Sequence, residues 1–245
     1  MAYFKWFLLS VFLFGCQSAS HTVVGESVED REEALMQSAG NNQGLIALYK
    51  SRLLKADNPE TRLKLANSYF VSKDYESAKY HAEFLKEEQR CNTGCTLLLA
   101  KVLHKQKAFN ESLLLTDAIS SVAEQAGETH NLRGLNYASL GEFEKARHAF
   151  EMARMFMFDD TAVKNNLAVV DIMTGQFELA IDRLMPLYVN GLADDTIKAN
   201  LAIAAVKAGK PDYFSMIVKN EKNRESRYKL YAALQASSMT EELMP

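Results

Sequence analysis

The chain has 245 residues, of which 48% are hydrophobic and 24% are charged, and its formal net charge at pH 7 is −3. Because this charge is small and no basic stripe is present, the sequence excludes the electrostatic footprint expected of a nucleic-acid-binding protein. The length allows one large domain or two small ones. Four prolines and eleven glycines are few for this length, which favours helical structure.

The N-terminal residues 1–15 predict an export signal. A single lysine precedes an apolar run over residues 6–14, which is too short to cross a bilayer as a mature helix. The run ends in Leu13-Phe14-Gly15-Cys16, which resembles the bacterial lipobox except that Phe14 is bulkier than the usual residue. The resemblance implies that Cys16 is lipidated and becomes the new N-terminus. The alternative is a cysteine that lies near a signal cleavage site.

The residues that follow Cys16 predict a location and a tether. In lipoproteins an aspartate directly after the cysteine usually retains the protein in the inner membrane, so Gln17 implies the outer membrane and its periplasmic face. Residues 16–42 are rich in Ser, Gln, Asn, Gly and acidic residues and show little apolar periodicity. This composition predicts a flexible tether between the lipid and the fold.

Residues 44–54 show helical apolar spacing and predict a single helix that covers the start of the next domain. From Pro59 onward a motif recurs every 34 residues. The first pair, Leu65-Ala66, is followed by Leu99-Ala100, Arg133-Gly134, Leu167-Ala168 and Leu201-Ala202. Tyr or Phe occurs ten positions after the start of the first four pairs, and Ala or Ser thirteen positions after it. This period and pattern are typical of tetratricopeptide (TPR) repeats, each a hairpin of two helices.

The sequence therefore predicts an all-α fold, a TPR α-solenoid over residues 43–236 with about five helical hairpins between an N-terminal and a C-terminal capping helix. The units span residues 59–92, 93–126, 127–160, 161–194 and 195–228. Small residues at the eighth position of each unit let the paired helices approach closely. Residues 224–236 predict the last helix, and residues 237–245 are expected to fray.

Two further cysteines, Cys91 and Cys95, lie at the junction of the first and second units. In an oxidising compartment the intervening Asn-Thr-Gly allows a tight loop in which the two sulfurs meet. We therefore expect a disulfide that fixes the angle between neighbouring hairpins. The alternative is a pair of reduced, half-buried thiols.

The residue types that carry catalysis show no useful arrangement. The five histidines have no metal-ligand spacing, and the sequence contains no glycine-rich phosphate loop and no nucleophile elbow. The acidic pairs Asp159-Asp160 and Asp194-Asp195 precede first helices, so we expect them to cap helices. Asn166 and Asn200 are expected to be structural residues that bond nearby backbone. We therefore expect neither an enzyme nor a metal or other cofactor, and no small-molecule substrate or nucleic-acid partner.

In TPR arrays the first helix of each hairpin lines the concave face, which binds other proteins. The positions expected there are Leu63, Asn67, Phe70, Lys101, His104, Asn131, Leu135, Asn165, Val169, Ile172, Met173 and Ile203. This set mixes asparagines with apolar residues and lacks a Lys/Arg cluster that grips a C-terminal carboxylate. We therefore expect an apolar or polyamide-like peptide segment as the partner. The alternative is that several apolar members pack against the next hairpin and that His104 is a packed or solvated histidine.

Three segments resemble the TadD family, whose members are TPR lipoproteins of the tight-adherence (Flp) pilus machinery. They read NNLAVVDIMTGQFELA over residues 165–180, IDRLMPLY over 181–188 and ANLAIAAVKAG over 199–209. The similarity is best over residues 127–210. It implies an outer-membrane lipoprotein that helps to assemble or localise the pilus secretin, with pilus-assembly proteins as partners and no catalytic residues.

Two other functions fit the same sequence. One is a pilotin-like TPR lipoprotein of a type IV pilus or a type II secretion system. The other is a periplasmic adaptor that recruits peptidoglycan hydrolases or synthases. In each case the mechanism is scaffolding, because the acyl group holds the solenoid at the membrane and a bound partner is concentrated there.

Overall fold

A computed structural model describes residues 28–122, 126–219 and 224–236, and within these ranges it contains thirteen α-helices and no strand. The predicted all-α class is confirmed. The helices are α1 (Val28–Ser38), α2 (Asn42–Lys55), α3 (Pro59–Val71), α4 (Tyr75–Glu87), α5 (Thr93–Lys105), α6 (Phe109–Ile119), α7 (Ala126–Ser139), α8 (Phe143–Met155), α9 (Asp160–Met173), α10 (Phe177–Val189), α11 (Asp195–Lys207), α12 (Pro211–Ile217) and α13 (Arg224–Ala236). The predicted signal peptide, the lipidation of Cys16 and the frayed C-terminal tail lie outside the described residues.

Helix α1 corrects the prediction of a flexible tether over residues 16–42. The chain divides into a unit that ends at Asn41 and a unit that begins at Asn42, and α1 occupies residues 28–38 of the first unit. The charged composition of this segment favours disorder, but its Glu, Arg, Ala, Leu and Met residues also have high helix propensity. Only residues 16–27 remain as a predicted tether, and they lie outside the described residues.

Helices α2 to α12 form a serial stack in which each helix packs on the next one in the chain. Five hairpins follow α2, and each consists of a first helix and a second helix: α3/α4, α5/α6, α7/α8, α9/α10 and α11/α12. The first helices begin at Pro59, Thr93, Ala126, Asp160 and Asp195, which keeps the 34-residue period to within one residue. Successive first helices also contact one another, so the hairpins pile up side by side.

The recurring small residues lie where paired helices cross. Ala66, Ala100 and Ala168 are fully buried, and at Gly134 a Cβ atom would overlap the ring of Phe150 on the second helix of the same hairpin. Because protein interiors are close-packed, a larger side chain at these positions forces the helices apart. The repeated motif is therefore the packing contact that builds each hairpin.

Left-handed backbone conformations recur with the same period as the motif. Within the hairpins a positive φ occurs at Lys73, Lys107, Gly141, Gly175 and Gly209, and between hairpins it occurs at Gln89, Met157 and Gly191. The residue that follows each left-handed position donates its N–H to the carbonyl five residues earlier, as Asp74 does to Tyr69 at 2.9 Å. This bond pattern ends a helix and reverses the chain, so the turns are as regular as the helices.

Side chains that precede first helices cap them, as the acidic pairs predicted. Asp159 accepts from the backbone N–H of Ala162, and Asp194 accepts from that of Ile197 at 2.8 Å. Each cap satisfies a backbone donor that has no partner within its helix. The caps therefore fix the point at which each new hairpin starts.

The stack closes with a shortened unit. Helix α12 has only seven residues, and α13 packs on α11. The rings of Phe214 and Tyr231 meet edge to face, with centroids 5.3 Å apart, while the Tyr188 hydroxyl donates to the Met216 carbonyl at 3.0 Å. These contacts cover the apolar end of the last full hairpin.

Candidate protein-binding face

The first helices α3, α5, α7, α9 and α11 contact one another in series and form one surface, which we call the first-helix face. All twelve predicted groove residues lie on these helices. Asn67 is exposed, and eight others are partly exposed: Leu63, Phe70, Lys101, Asn131, Leu135, Asn165, Met173 and Ile203. Nine of the twelve residues are therefore accessible on this surface, and their role in binding a partner stays a prediction.

A cavity of about 130 Å³ lies in the first-helix face and gathers residues of three hairpins. Five of its lining residues belong to the predicted set: Phe70, Lys101, His104, Asn131 and Leu135. Lys105, Leu132, Glu128 and Phe158 complete the lining. Phe158 comes from the turn before α9, and no feature of the sequence indicated that this turn reaches the cavity.

Charge on the rim of the cavity comes from Lys101, Lys105 and Glu128, of which Lys101 and Glu128 pair with each other. The Lys101 ammonium lies 2.5 Å from a carboxylate oxygen of Glu128, and both side chains are partly exposed. Phe70, Leu132, Leu135 and Phe158 supply apolar surface, and Asn131 supplies an amide. The apolar surface of the cavity is thus suited to an apolar side chain whose neighbours in the chain offer amide groups.

His104 is a packed residue that lies beneath this cavity, which corrects its assignment to an open groove. It is only 6% exposed. Its Nδ1 lies 2.8 Å from Oδ1 of Asn136, whose amide nitrogen donates to the Ser112 hydroxyl, which in turn donates to the Ala100 carbonyl. Because the Asn136 oxygen accepts, Nδ1 of His104 carries the proton. This buried chain of hydrogen bonds fixes the ring between two hairpins.

Val169 and Ile172 are further corrections to the predicted groove. Val169 is 8% exposed, and Ile172 is 1% exposed. Ile172 belongs to the apolar core that α9 shares with α10 and α11. For Ile172 this is packing against the next hairpin, the alternative that the sequence left open for apolar members of the set.

Four asparagines link the first helices through what we call the amide ladder. The Asn166 amide donates to Oδ1 of Asn131 at 2.8 Å, and the Asn200 amide donates to Oδ1 of Asn165 at 2.8 Å. The donors therefore bond asparagines of the preceding hairpin, not nearby backbone as we expected. Each rung joins residues 35 positions apart, so the ladder ties α7 to α9 and α9 to α11.

A buried carboxylate joins the third and fourth hairpins. Asp171 on α9 is fully buried and pairs with Arg147 on α8 and with Nε of Arg183 on α10 at 2.7 Å. Arg147 also donates to the Thr174 hydroxyl at 3.1 Å. Since a buried charge is tolerated only when it is paired and hydrogen-bonded, this triad is a structural cluster and not a catalytic carboxylate.

Asp57 plays a similar part nearer the surface of the first two hairpins. Its carboxylate pairs with Arg90 and with Arg62, each at 2.6 Å. Hydrogen bonds from Arg90 and Arg62 hold the pKa of Asp57 below its usual value. The Arg62 guanidinium also lies 3.9 Å from the ring centroid of Phe84. Through its two arginine partners, Asp57 links the loop before α3 to the junction before α5.

Cys91 and Cys95 form the expected disulfide. Cys91 lies in the junction between α4 and α5, and Cys95 is a fully buried residue of the first turn of α5. The Asn92 side chain between them accepts from the Cys95 N–H at 3.0 Å and caps α5. The disulfide therefore fixes the start of the second hairpin.

Neither a metal centre nor a membrane span occurs in the described part of the chain. There, no three His, Cys, Asp or Glu side chains come close enough together to hold a metal ion. Within the same part, no helix combines the length and the apolar character needed to cross a bilayer.

Helical hairpins that repeat every 34 residues, stack through small residues and expose their first helices define a repeat scaffold. The sequence matches the tetratricopeptide repeat-like domain family over residues 18–183, and the chain belongs to this family. The family and the fold indicate a protein–protein interaction scaffold, and no enzymatic family was found. Among curated proteins, none matches the sequence significantly.

Several solved structures are similar to this chain. A thermophilic TPR protein of Thermus thermophilus has a TM-score of 0.61 at 18% identity and covers 72% of this chain and 96% of its own. A tetratricopeptide repeat protein of Parabacteroides merdae has a TM-score of 0.65 at 13% identity, covering 89% and 86%. BtubC of P. vanneervenii has a TM-score of 0.53 at 16% identity, covering 86% and 94%. At these identities the similarity establishes the fold alone.

Proposed function

We propose that this protein is a lipid-anchored scaffold at the periplasmic side of the bacterial outer membrane, where its first-helix face binds a polypeptide during assembly of a tight-adherence (Flp) pilus. The lipobox-like segment that ends at Cys16 supports the anchor. Membership of a repeat family of protein-binding scaffolds supports a protein partner. The resemblance of residues 127–210 to TadD proteins supports the secretin, or another pilus-assembly component, as that partner.

The cavity in the first-helix face is the observation that carries the binding proposal. It brings Phe70, Lys101, Asn131 and Leu135 from three successive hairpins to one place. Its volume of about 130 Å³ suits a single apolar side chain of a bound segment. The partly exposed Asn131 amide in its lining offers a hydrogen bond to the backbone of that segment. A partner that anchors one apolar residue there gains specificity from a desolvated pocket.

A photo-crosslinking experiment tests this face in the native cell. A benzoylphenylalanine residue replaces Leu135 in the cavity, and a matched control places it at Leu114, which is 71% exposed on the second helix α6. We expect illumination to give one discrete protein adduct from the cavity position and none from the control. Mass spectrometry of the adduct identifies the partner.

The identity of the adduct separates the candidate systems. A secretin or prepilin-processing component supports pilus assembly, and a secretin of a type II secretion system supports a pilotin. A peptidoglycan hydrolase or synthase supports the adaptor function and contradicts the pilus assignment. Identical adduct patterns from Leu135 and Leu114 would exclude the first-helix face as the binding surface.

The anchor is tested independently by Cys16→Ser. We expect this variant to fold but to leave the membrane fraction, because each acyl methylene that is buried in a bilayer contributes about 0.8 kcal/mol. The measurement is the distribution of the chain between membrane and soluble periplasmic fractions. Full retention of the variant in the membrane fraction would contradict lipid anchoring at this residue.

A further inference from the structure

Two neighbouring turns between hairpins expose a group of large apolar side chains, which we call the apolar turn patch. The turn between α8 and α9 contributes Met155 (72% exposed), Phe156 (43%) and Met157 (92%), and the turn between α10 and α11 contributes Val189 (70%) and Leu192 (59%). Clustered exposed hydrophobic residues on a soluble fold mark interaction sites, whereas single ones need no explanation.

The two turns lie side by side because the helices that follow them run in parallel. Asn200 of α11 bonds Asn165 of α9 at 2.8 Å, and both residues lie near the start of their helices. The first turns of α9 and α11 are therefore adjacent, and so are the turns that precede them. Packed helices lie about 8–10 Å apart, which sets the distance between the two rows of apolar side chains.

Apolar residues are not a requirement of the turn itself. The equivalent turn between the first and second hairpins carries Glu87, Glu88, Gln89 and Arg90. Turns within hairpins, which lie at the other ends of the helices, are also polar, as in Ser72-Lys73-Asp74. The apolar character is thus concentrated at one edge of the third and fourth hairpins.

Met157 occupies the most unusual position in this patch. Its φ is +60°, a left-handed conformation that is costly for a residue with a side chain, and the equivalent position one period later is Gly191. At 92% exposure the Met157 side chain gains almost nothing from packing within its own chain. The equivalent residue of the first junction, Gln89, has the same left-handed conformation and is polar, so the turn tolerates a side chain there without requiring an apolar one.

The charges around the patch identify the chemistry of its partner. The segments 151–164 and 186–198, which contain both turns, carry five carboxylates and three cations. The carboxylates belong to Glu151, Asp159, Asp160, Asp194 and Asp195. Glu151, Asp160 and Asp195 are paired with the cations of the same segments. The remaining two carboxylates, Asp159 and Asp194, cap α9 and α11. This excess of two negative charges disfavours the surface of an anionic bilayer and favours a partner that carries Lys and Arg side chains.

We infer that the apolar turn patch binds a cationic amphipathic helix of a partner protein. Seven residues of a helix rise about 10.5 Å, so apolar side chains at positions i and i+7 reach the two rows at once. Basic residues on the flanks of that helix meet the carboxylates beside the turns. The patch adjoins the first-helix face, because Phe158 of the same turn lines the cavity and Phe156 stacks on His130 of α7. A helix bound to the patch therefore lies next to the segment that the cavity is proposed to hold.

Fluorescence anisotropy with a defined probe tests this inference. The probe is a labelled synthetic amphipathic helix of leucine and lysine, and its counterpart has glutamate in place of lysine. The full chain carries Cys16→Ser, or is used unchanged if that residue proves not to be lipidated, so that no detergent competes for the patch. We expect the lysine probe to bind at least about tenfold more tightly than the glutamate probe. Its affinity should fall as added salt screens the carboxylates.

Matched variants localise the binding. We expect the triple substitution Met155→Ser, Met157→Ser and Leu192→Ser to weaken binding of the lysine probe at least about tenfold, while circular dichroism shows unchanged helix content. Leu114→Ser removes an equally exposed apolar residue from α6, and Leu135→Ser alters the cavity. We expect neither of these variants to change the affinity for the probe.

Three outcomes would overturn the inference. They are equal affinity for the two probes, unchanged affinity of the triple variant, and sedimentation of the chain with phosphatidylethanolamine/phosphatidylglycerol vesicles that depends on Met155 and Met157. The last outcome would assign the patch to a membrane surface. If benzoylphenylalanine at position 135 gives no crosslink while the lysine probe still binds the patch, that result contradicts the proposed function and leaves the inference about the patch standing.

Discussion

The hairpins of residues 59–119 and those of residues 126–207 share one packing motif but are held together by different interactions. In the N-terminal hairpins, Cys91 and Cys95 form a covalent link at the junction, and the exposed Asp57 bridges Arg62 and Arg90. In the C-terminal hairpins, the links are the amide ladder and the fully buried carboxylate of Asp171. The helices themselves are of similar length in both halves.

This contrast shows which part of a repeat is fixed and which part is free to vary. The small residues at helix crossings recur in both halves because steric overlap leaves no alternative, as at Gly134. The links between hairpins vary because a disulfide, an ion pair or a hydrogen bond can each join two surfaces that are already in contact. As a consequence the two halves respond to different perturbations, redox chemistry in one and loss of a buried charge partner in the other.

The largest effect is expected from Asp171→Asn. The substitution removes the buried carboxylate that Arg147 and Arg183 share, and Arg147 keeps only the exposed carboxylate of Glu144 at 3.8 Å. Removal of one member of a buried ion pair costs about 3–5 kcal/mol. Because both arginines are partly exposed, we expect a loss of about 2–3 kcal/mol in the free energy of unfolding. Hydrogen exchange should rise in α8–α10 and stay unchanged in α3–α5.

Asp182→Asn is the matched control for this prediction. Asp182 is an exposed residue of α10, so its neutralisation should change stability by less than about 0.5 kcal/mol. Equal effects of the two substitutions would show that the buried triad contributes nothing beyond a surface charge. Uniformly faster exchange along the chain would show that the halves are not energetically distinct.

The next effect is expected from removal of the disulfide by Cys91→Ser together with Cys95→Ser. A link that closes a loop of this length contributes about 2 kcal/mol in the chain-entropy model. We expect faster hydrogen exchange in α4 and α5, with α9–α11 unaffected. A reducing agent added to the unaltered chain should reproduce the change, and no response to either treatment would contradict a stabilising role for the link.

The smallest expected effect is the dependence of the free energy of unfolding on pH, to which one histidine in each half contributes. Burial, followed by the charge of Arg62, lowers the pKa of His81, and burial, followed by the charge of Arg133, lowers the pKa of His130. The folded state therefore takes up protons less readily than the unfolded state. The stability contributed by these two neutral histidines is fully present above about pH 6.5, the pKa of histidine in an unfolded chain. It declines as the pH falls below that value.

Urea unfolding at about pH 7.5 and about pH 5.5 measures this decline. We expect His81→Gln and His130→Gln each to remove part of it, by less than about 1 kcal/mol, with hydrogen exchange locating the change in α3–α4 and in α7–α8 respectively. A pH dependence that is unchanged in the double variant would show that other groups are responsible.

The sequence predicted the features that depend on the period alone. Leu65-Ala66 and its four equivalents located the hairpins because helix crossings require a small residue at the same point in every unit. The disulfide was also predictable, since Cys91 and Cys95 are too close in the chain for folding to separate them far. Gly141 and Gly175 lie in turns within hairpins at a positive φ, a conformation that favours glycine.

Features that depend on how one hairpin meets the next were not predictable. Asn131 and Asn165 are one period apart, and so are Asn166 and Asn200, but the bonds join residues 35 positions apart because stacking shifts the register by one residue. The burial of Ile172 depends on how closely the next hairpin packs. His104 is hydrogen-bonded to Asn136, 32 residues further along the chain, and no local sequence pattern predicts that hydrogen bond.

The amide ladder has a mechanical consequence. Its rungs lie on one side of the stack, so any motion that spreads the first helices α7, α9 and α11 stretches a hydrogen bond, while motion on the opposite side leaves the rungs intact. Resistance to bending is therefore directional, and yielding under load proceeds junction by junction.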